Sequence, residues 1–127
     1  MKIRLCPCGN PTHYTVCCGQ YIDGQVVAPS AEALMRSRYT AYTLLKEDYL
    51  LLTWHRSTRP AALNLAADVP TKWLGLEVHA HQQQDAEHAT VTFTARYKVQ
   101  GRAQRLHELS RFVCEDGRWF YVEGQVD

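Results

Sequence analysis

Four of the five cysteines fall in one short stretch, CPCGNPTHYTVCCG, as Cys6-x-Cys8 and, after eight intervening residues, Cys17-Cys18. Clustered thiols serve three chemistries: cross-linking, redox exchange and metal ligation. A disulfide across Cys6-x-Cys8, or between the adjacent Cys17 and Cys18, would be strained. A redox pair prefers Cys-x-x-Cys beside a βαβ unit, a context missing from this sequence. Two thiols on each arm of a turn can instead close a tetrahedral tetrathiolate, the pattern of structural Zn²⁺. Pro7, Gly9, Asn10 and Pro11 supply the turn residues that wrap a backbone around an ion. Four thiolates leave no open position for water, so such a metal holds a loop and does not catalyse. It also supplies folding energy that so short a segment cannot obtain by burial.

The bulk numbers narrow the classes. A chain of 127 residues fits one compact domain with a small appendage, and 46% hydrophobic with 21% charged residues is ordinary for a soluble globular protein. A net charge of +1 speaks against non-specific nucleic-acid binding, which needs clustered cations to displace counterions. MKIRLCPCG has no apolar core of a secretion signal, and the longest apolar run, YLLLTW, is too short to span a membrane. The Asn10-Pro11-Thr12 sequon is blocked by its proline. A cytoplasmic protein with reduced thiols and no membrane association is therefore expected, and the odd cysteine, Cys114, fits that expectation.

Two regions follow from the pattern along the chain. Residues 1–27 are rich in turn signals and lack any sustained period, and are read as the metal-binding segment. Residues 28–127 are read as a single α+β domain. Ser30 is placed to cap a helix over AEALMRSRYTAYTLL, in which Leu34, Ala41, Tyr42 and Leu45 share a face with Arg38 or Tyr39. Glu32, Arg36, Thr40, Thr43 and Glu47 share the other. EDYLLLTWH predicts a second helix and STRPAALNLAA a short third one. From Trp73 the period changes to two: WLGLEVHAH, ATVTFTARYKV, QRLHELSRFVCE and WFYVEGQV read as strands, with EDGR as a hairpin turn. Helices followed by a curved antiparallel meander leave a cavity between the two layers.

The cysteine stretch, with its CPCG and CCG, resembles the SEC-C motif, the zinc module of the SecA translocation motor. The remainder resembles the bacterial YchJ-like (UPF0225) proteins, through CPCGNPTHYTVCCGQYIDG, APSAEALMRSRYTAY, DYLLLTWH, WLGLEV and HELSRFVCEDGRWFYVEG. The resemblance implies a nuclear-transport-factor-2-like domain, cone-shaped and related to ketosteroid isomerase, behind an N-terminal zinc knuckle. It also raises the expectation of a second SEC-C motif near the C-terminus, and the sequence through Asp127 has none. In SecA the zinc loop is rich in lysine, which suits an acidic partner such as SecB. Here the loop is NPTHYTV with His13 as its one candidate cation, so docking to a SecB-like protein is not carried over.

Cone-shaped domains of this kind host enzymes, binders and structural copies alike, so fold alone assigns no activity. Arg38 points inward by helical period, and Glu108 shares a strand face with Leu106, Ser110, Phe112 and Cys114. Arg38 and Glu108 read as a structural ion pair fixing helix to sheet, or as part of a ligand pocket with Tyr42, Trp54 and His55. No residue matches the catalytic pair of ketosteroid isomerase, and no catalytic set is assigned. His79 and His81 alternate with apolar residues and read as a solvated strand face; His55 reads as a helix-end histidine. Cys114 reads as a small buried hydrophobe, and Trp73, Trp119 and Tyr121 as core or cavity wall. The expected function is a zinc-containing module that docks a protein partner, with small-molecule binding or enzymatic activity in the cavity as the alternative.

Overall fold

The computed structural model describes residues 5–24, 26–65 and 71–126. A 3₁₀ turn (Tyr14–Val16) and α1 (Cys18–Ile22) precede α2 (Ala31–Thr43) and α3 (Glu47–Leu52). Four strands follow: β1 (Thr71–Gln83), β2 (His88–Val99), β3 (Arg102–Glu115) and β4 (Arg118–Val126). They form one antiparallel meander in the order β1-β2-β3-β4, with α2 packed on its inner face. This is the α+β arrangement expected from the change of period.

Alternation along β2 decides which face is inner. Ala89, Val91, Phe93 and Ala95 are buried against Leu34, Met35 and Tyr39 of α2, while the threonines between them lie on the opposite face, Thr90 and Thr92 half-buried and Thr94 covered by His79 and His107. Asp116-Gly117, at φ of +52° and +77°, makes the mirror-image turn whose twist matches a two-stranded ribbon, and so fixes the β3–β4 register.

Ser30 caps α2 as expected: its Oγ accepts from the Ala33 N–H at 3.1 Å. The expected polar flank of that helix is not all exposed. Thr40 is fully buried, its hydroxyl 3.8 Å from Cys6 Sγ, because the cysteine segment covers that side. Leu45, expected on the apolar stripe, is exposed: the helix ends at Thr43 and Leu45 turns the chain at φ +57°.

The second helix is shorter than EDYLLLTWH suggests. After Leu52 the chain crosses to β4, where Thr53 O accepts from the Tyr121 N–H at 2.9 Å and the His55 N–H donates to Tyr121 O at 2.7 Å. The third expected helix does not form over residues 57–64, which run as turns and extended chain. Glu47 explains this: its carboxylate takes the N–H groups of Leu63 and Leu65, each at 3.1 Å, and Asn64 between them sits at φ +55°. The last residues of that expectation, 66–67, lie outside the described residues.

β1 carries two register shifts, between Trp73 and Gly75 and between Val78 and Ala80. The second corrects the expectation that His79 and His81 share a face. The extra residue turns His81 inward, opposite Val91 and beside Glu32 of α2, while His79 stays outside, 2.7 Å from Thr94 Oγ1.

Leu34 is 2% exposed at the centre of the packed layer. Leu34→Ala is expected to cost about 3 kcal/mol in urea unfolding, and Leu45→Ala less than about 0.5 kcal/mol.

Candidate metal centre and cavity

Residues 5–24 fold around the four expected cysteines. The Cys6 N–H donates to Thr12 O at 2.8 Å and Leu5 bridges His13, so the first two thiols hang from a tight hairpin. Gly9 turns it at φ +98°, a conformation that side chains rarely tolerate. The other two thiols sit at the start of α1, where a Cβ on Gly19 would come 2.7 Å from both the carbonyl and the ring of Tyr14. The glycines of CPCG and CCG therefore have separate steric roles.

All four Sγ atoms lie within 4.8 Å of one another, and Cys8 Sγ is 3.7 Å from Cys17 Sγ. A tetrahedron with metal–sulfur bonds of about 2.3 Å has edges of about 3.8 Å. The donor set thus fits one tetrahedral thiophilic ion, bound by thiolates. Among the thiols themselves, hydrogen bonding from Cys18 draws Cys8 down to about 5, and the same bond together with burial pushes Cys18 up. Outside the sulfurs, Asn10 Nδ2 points to Cys17 Sγ at 3.7 Å and Arg36 Nη1 donates to Cys8 O at 2.9 Å. Arg36 is also paired with Glu32 at 3.1 Å. In the sequence Arg36 stands only on a polar helix face, and nothing local marks it as a clamp on the cysteine loop.

A cavity of about 300 Å³ lies between α2 and the inner face of the sheet. Of the five expected pocket residues, Arg38, Tyr42 and Glu108 line it. Trp54 stands behind Arg38, its ring centroid 5.2 Å from the guanidinium and 4.9 Å from Tyr121. His55 is elsewhere. It lies beyond the helix end, with Nε2 3.0 Å from Glu115 and Nδ1 2.7 Å from Ser57, so neither a pocket role nor a helix-dipole role describes it.

The structural ion pair between Arg38 and Glu108 is not formed. Arg38 Nη1 instead donates to Leu50 O at 2.8 Å and Thr53 Oγ1 at 2.7 Å, which ties α2 to the end of α3. Tyr121 stacks at 4.5 Å on its guanidinium. Burial pulls Arg38 down from its ordinary pKa. It also pushes Tyr42 up and, reinforced by Glu108, Tyr121 up to about 12, so both phenols stay protonated at neutral pH. Glu108 takes a 2.5 Å hydrogen bond from Ser110. Gly124, opposite Ser110 on β4, leaves the room its carboxylate occupies: a Cβ there would collide with Glu108 Cδ and Oε2. Ser110 and Gly124 are contributors that sequence reasoning did not single out, although Ser110 was legible as an inward residue. Trp73 and Tyr121 form cavity wall and Trp119 packs against the core, as expected, whereas Cys114 is half-buried at the sheet end.

Fold and site together define a class: a four-cysteine knuckle able to hold a metal, seated on a nuclear-transport-factor-2-like domain. Residues 30–124 match the family model described as YchJ, middle NTF2-like domain. A UPF0225 protein of Bordetella pertussis is 58% identical over 124 residues, which cover 95% of this chain and 92% of that one. A UPF0225 protein of Polaromonas naphthalenivorans is 53% identical, covering 94% and 95%. The chain belongs to the UPF0225, or YchJ-like, family. Among solved structures, a SEC-C motif containing protein from Rhodopseudomonas palustris superposes with a TM-score of 0.87 at 36% identity, covering 96% of this chain and 98% of that one. Another from Psychrobacter arcticus gives 0.81 at 33% identity, covering 98% and 84%. Among the described residues no helix is long and apolar enough to cross a membrane.

The contact between Gly124 and Glu108 can be measured by a double-mutant cycle. Because the atoms in the way are the movable end of Glu108, Gly124→Ala is expected to destabilise by no more than about 1 kcal/mol, chiefly by displacing the carboxylate from Ser110, and to cost nothing in a Glu108→Ala background. Equal costs in the two backgrounds, read from urea midpoints, would refute the steric account.

Proposed function

We propose that Cys6, Cys8, Cys17 and Cys18 hold one structural Zn²⁺ as a tetrathiolate, and that the knuckle so held docks another protein. The observation that carries the metal is the convergence of four thiols within 4.8 Å, in a segment whose buried residues are mostly those thiols themselves. A closed thiolate shell gives zinc a folding role and no catalytic one. The description of the structural neighbours as SEC-C motif proteins supports the same choice of metal. In this reading residues 1–27 are a metal-folded segment seated on a domain of residues 28–127. Reduced thiols call for a reducing compartment, the cytoplasm.

Docking is supported by the outer side of the knuckle, where Pro11, Thr12, His13, Thr15 and Val16 are exposed on a backbone fixed by the cage. With His13 as the only basic group between Cys8 and Cys17, the partner is selected by shape and neutral polar contacts more than by charge. A second reading, a small-molecule site in the cavity, is favoured by one observation: Arg38 and Glu108 face the same space without pairing.

Elemental analysis of the purified chain should find one zinc per molecule; less than about half an equivalent with thiols reduced would overturn the metal reading. Because the ligands must be deprotonated, zinc should be retained at neutral pH and released on acidification, as a chromogenic chelator would report. Cys17→Ser should speed amide exchange across residues 5–24 while leaving β2 and β3 protected, a contrast readable by NMR.

A further inference from the structure

A small-molecule site in the cavity, the reading on which this inference rests, leaves the ligand unspecified, but the polar groups there are specific enough to name its class. Arg38 is 6% exposed, and its Nη1 is committed to Leu50 O and Thr53 Oγ1. Its Nε–Nη2 edge has no protein acceptor among the described residues. That edge is the planar fork that grips a carboxylate through two parallel hydrogen bonds. The guanidinium is tethered through Nη1 and packed against Trp54 and Tyr121, 5.2 and 4.5 Å from their ring centroids.

Glu108 is restrained from its own side. Oε2 accepts from Ser110, Gly124 makes room for the carboxylate, and Oε1 has no protein donor among the described residues. Two opposite charges therefore border one cavity, each with hydrogen-bonding capacity to spare and each anchored away from the other. A lone carboxylate would satisfy Arg38 and be repelled by Glu108; a lone amine would meet the reverse. A molecule carrying both charges answers both groups and keeps the enclosed space neutral. Trp73, Phe93 and Phe112 offer the rest of it an aromatic wall. At about 300 Å³ the cavity is at the small end of ligand pockets, suited to one ring and a short chain.

We propose that the cavity binds a small zwitterion with an apolar or aromatic body, such as a free hydrophobic amino acid. Its carboxylate lies on the Nε–Nη2 edge of Arg38, its ammonium on Glu108 Oε1, and its side chain against Trp73, Phe93 and Phe112.

Four probes test this by NMR on the intact chain, read at the Trp73 indole: L-phenylalanine, hydrocinnamate, phenethylamine and neutral indole. L-Phenylalanine should bind at least about tenfold more tightly than either singly charged analogue. Glu108→Gln, which keeps the shape and removes the charge, should reverse the order of L-phenylalanine and hydrocinnamate. If any of the other three matches or exceeds L-phenylalanine on the unmodified chain, the zwitterion is wrong while the cavity still binds small molecules. An unchanged order in Glu108→Gln also overturns the assignment. If none of the four shifts the indole, the cavity reading itself falls. Should Glu108→Gln fail to fold, the ranking on the unmodified chain decides.

Discussion

Helix α2 is covered on both flanks, and the placing of its neighbours around it follows from that double burial. The inner face of the sheet closes one side and the cysteine knuckle the other, so eight of its thirteen residues are buried. Three of those are polar, and each is answered by a different neighbour. Ser37 donates to Leu34 O and meets the Tyr49 hydroxyl, both at 2.7 Å; Arg38 reaches Leu50 and Thr53; Thr40 faces Cys6. A buried polar group without a partner is costly, so these contacts fix where α3 and the knuckle can sit. The metal segment is thereby part of the packing of the larger domain. Arg36 reinforces the link, joining Glu32 on its own helix to the carbonyl of Cys8.

Much of this was legible in the sequence because it depends on local periodicity. The four cysteines, the Ser30 cap, the strand alternation of β2 and the inward set Leu106, Glu108, Ser110 and Phe112 were all readable from spacing. Tertiary competition hid the remainder. Residues 57–64 have helical composition, yet Glu47, distant in sequence, takes the N–H groups of Leu63 and of Leu65 just beyond them. His55 follows a helix and reads as its end, yet the chain leaves the helix early to pair with β4. A bulge is a difference of one residue between paired strands, so the reversal at His81 cannot be seen in either strand alone. The separation of Arg38 from Glu108 likewise required knowing that Leu50, Thr53 and Ser110 would claim them first.

The cavity and the knuckle lie on opposite sides of α2 and use different physics. One is a thiol cluster whose geometry matches a single ion; the other is an apolar chamber with two anchored charges at its border. Their common element is the helix, with Arg36 and Thr40 turned to the cysteines and Arg38 and Tyr42 to the chamber. Residues two apart on this helix thus serve two sites.

The strap from Thr53 to His55 also governs how the sheet meets its surroundings. An open strand edge is a template on which other chains can add, and the strap occupies part of that edge on β4 through hydrogen bonds in both directions with Tyr121. The opposite edge, β1, is interrupted by two bulges that break the regular ladder an incoming strand would need. Both ends of the meander are thus poor seeds for cross-β growth.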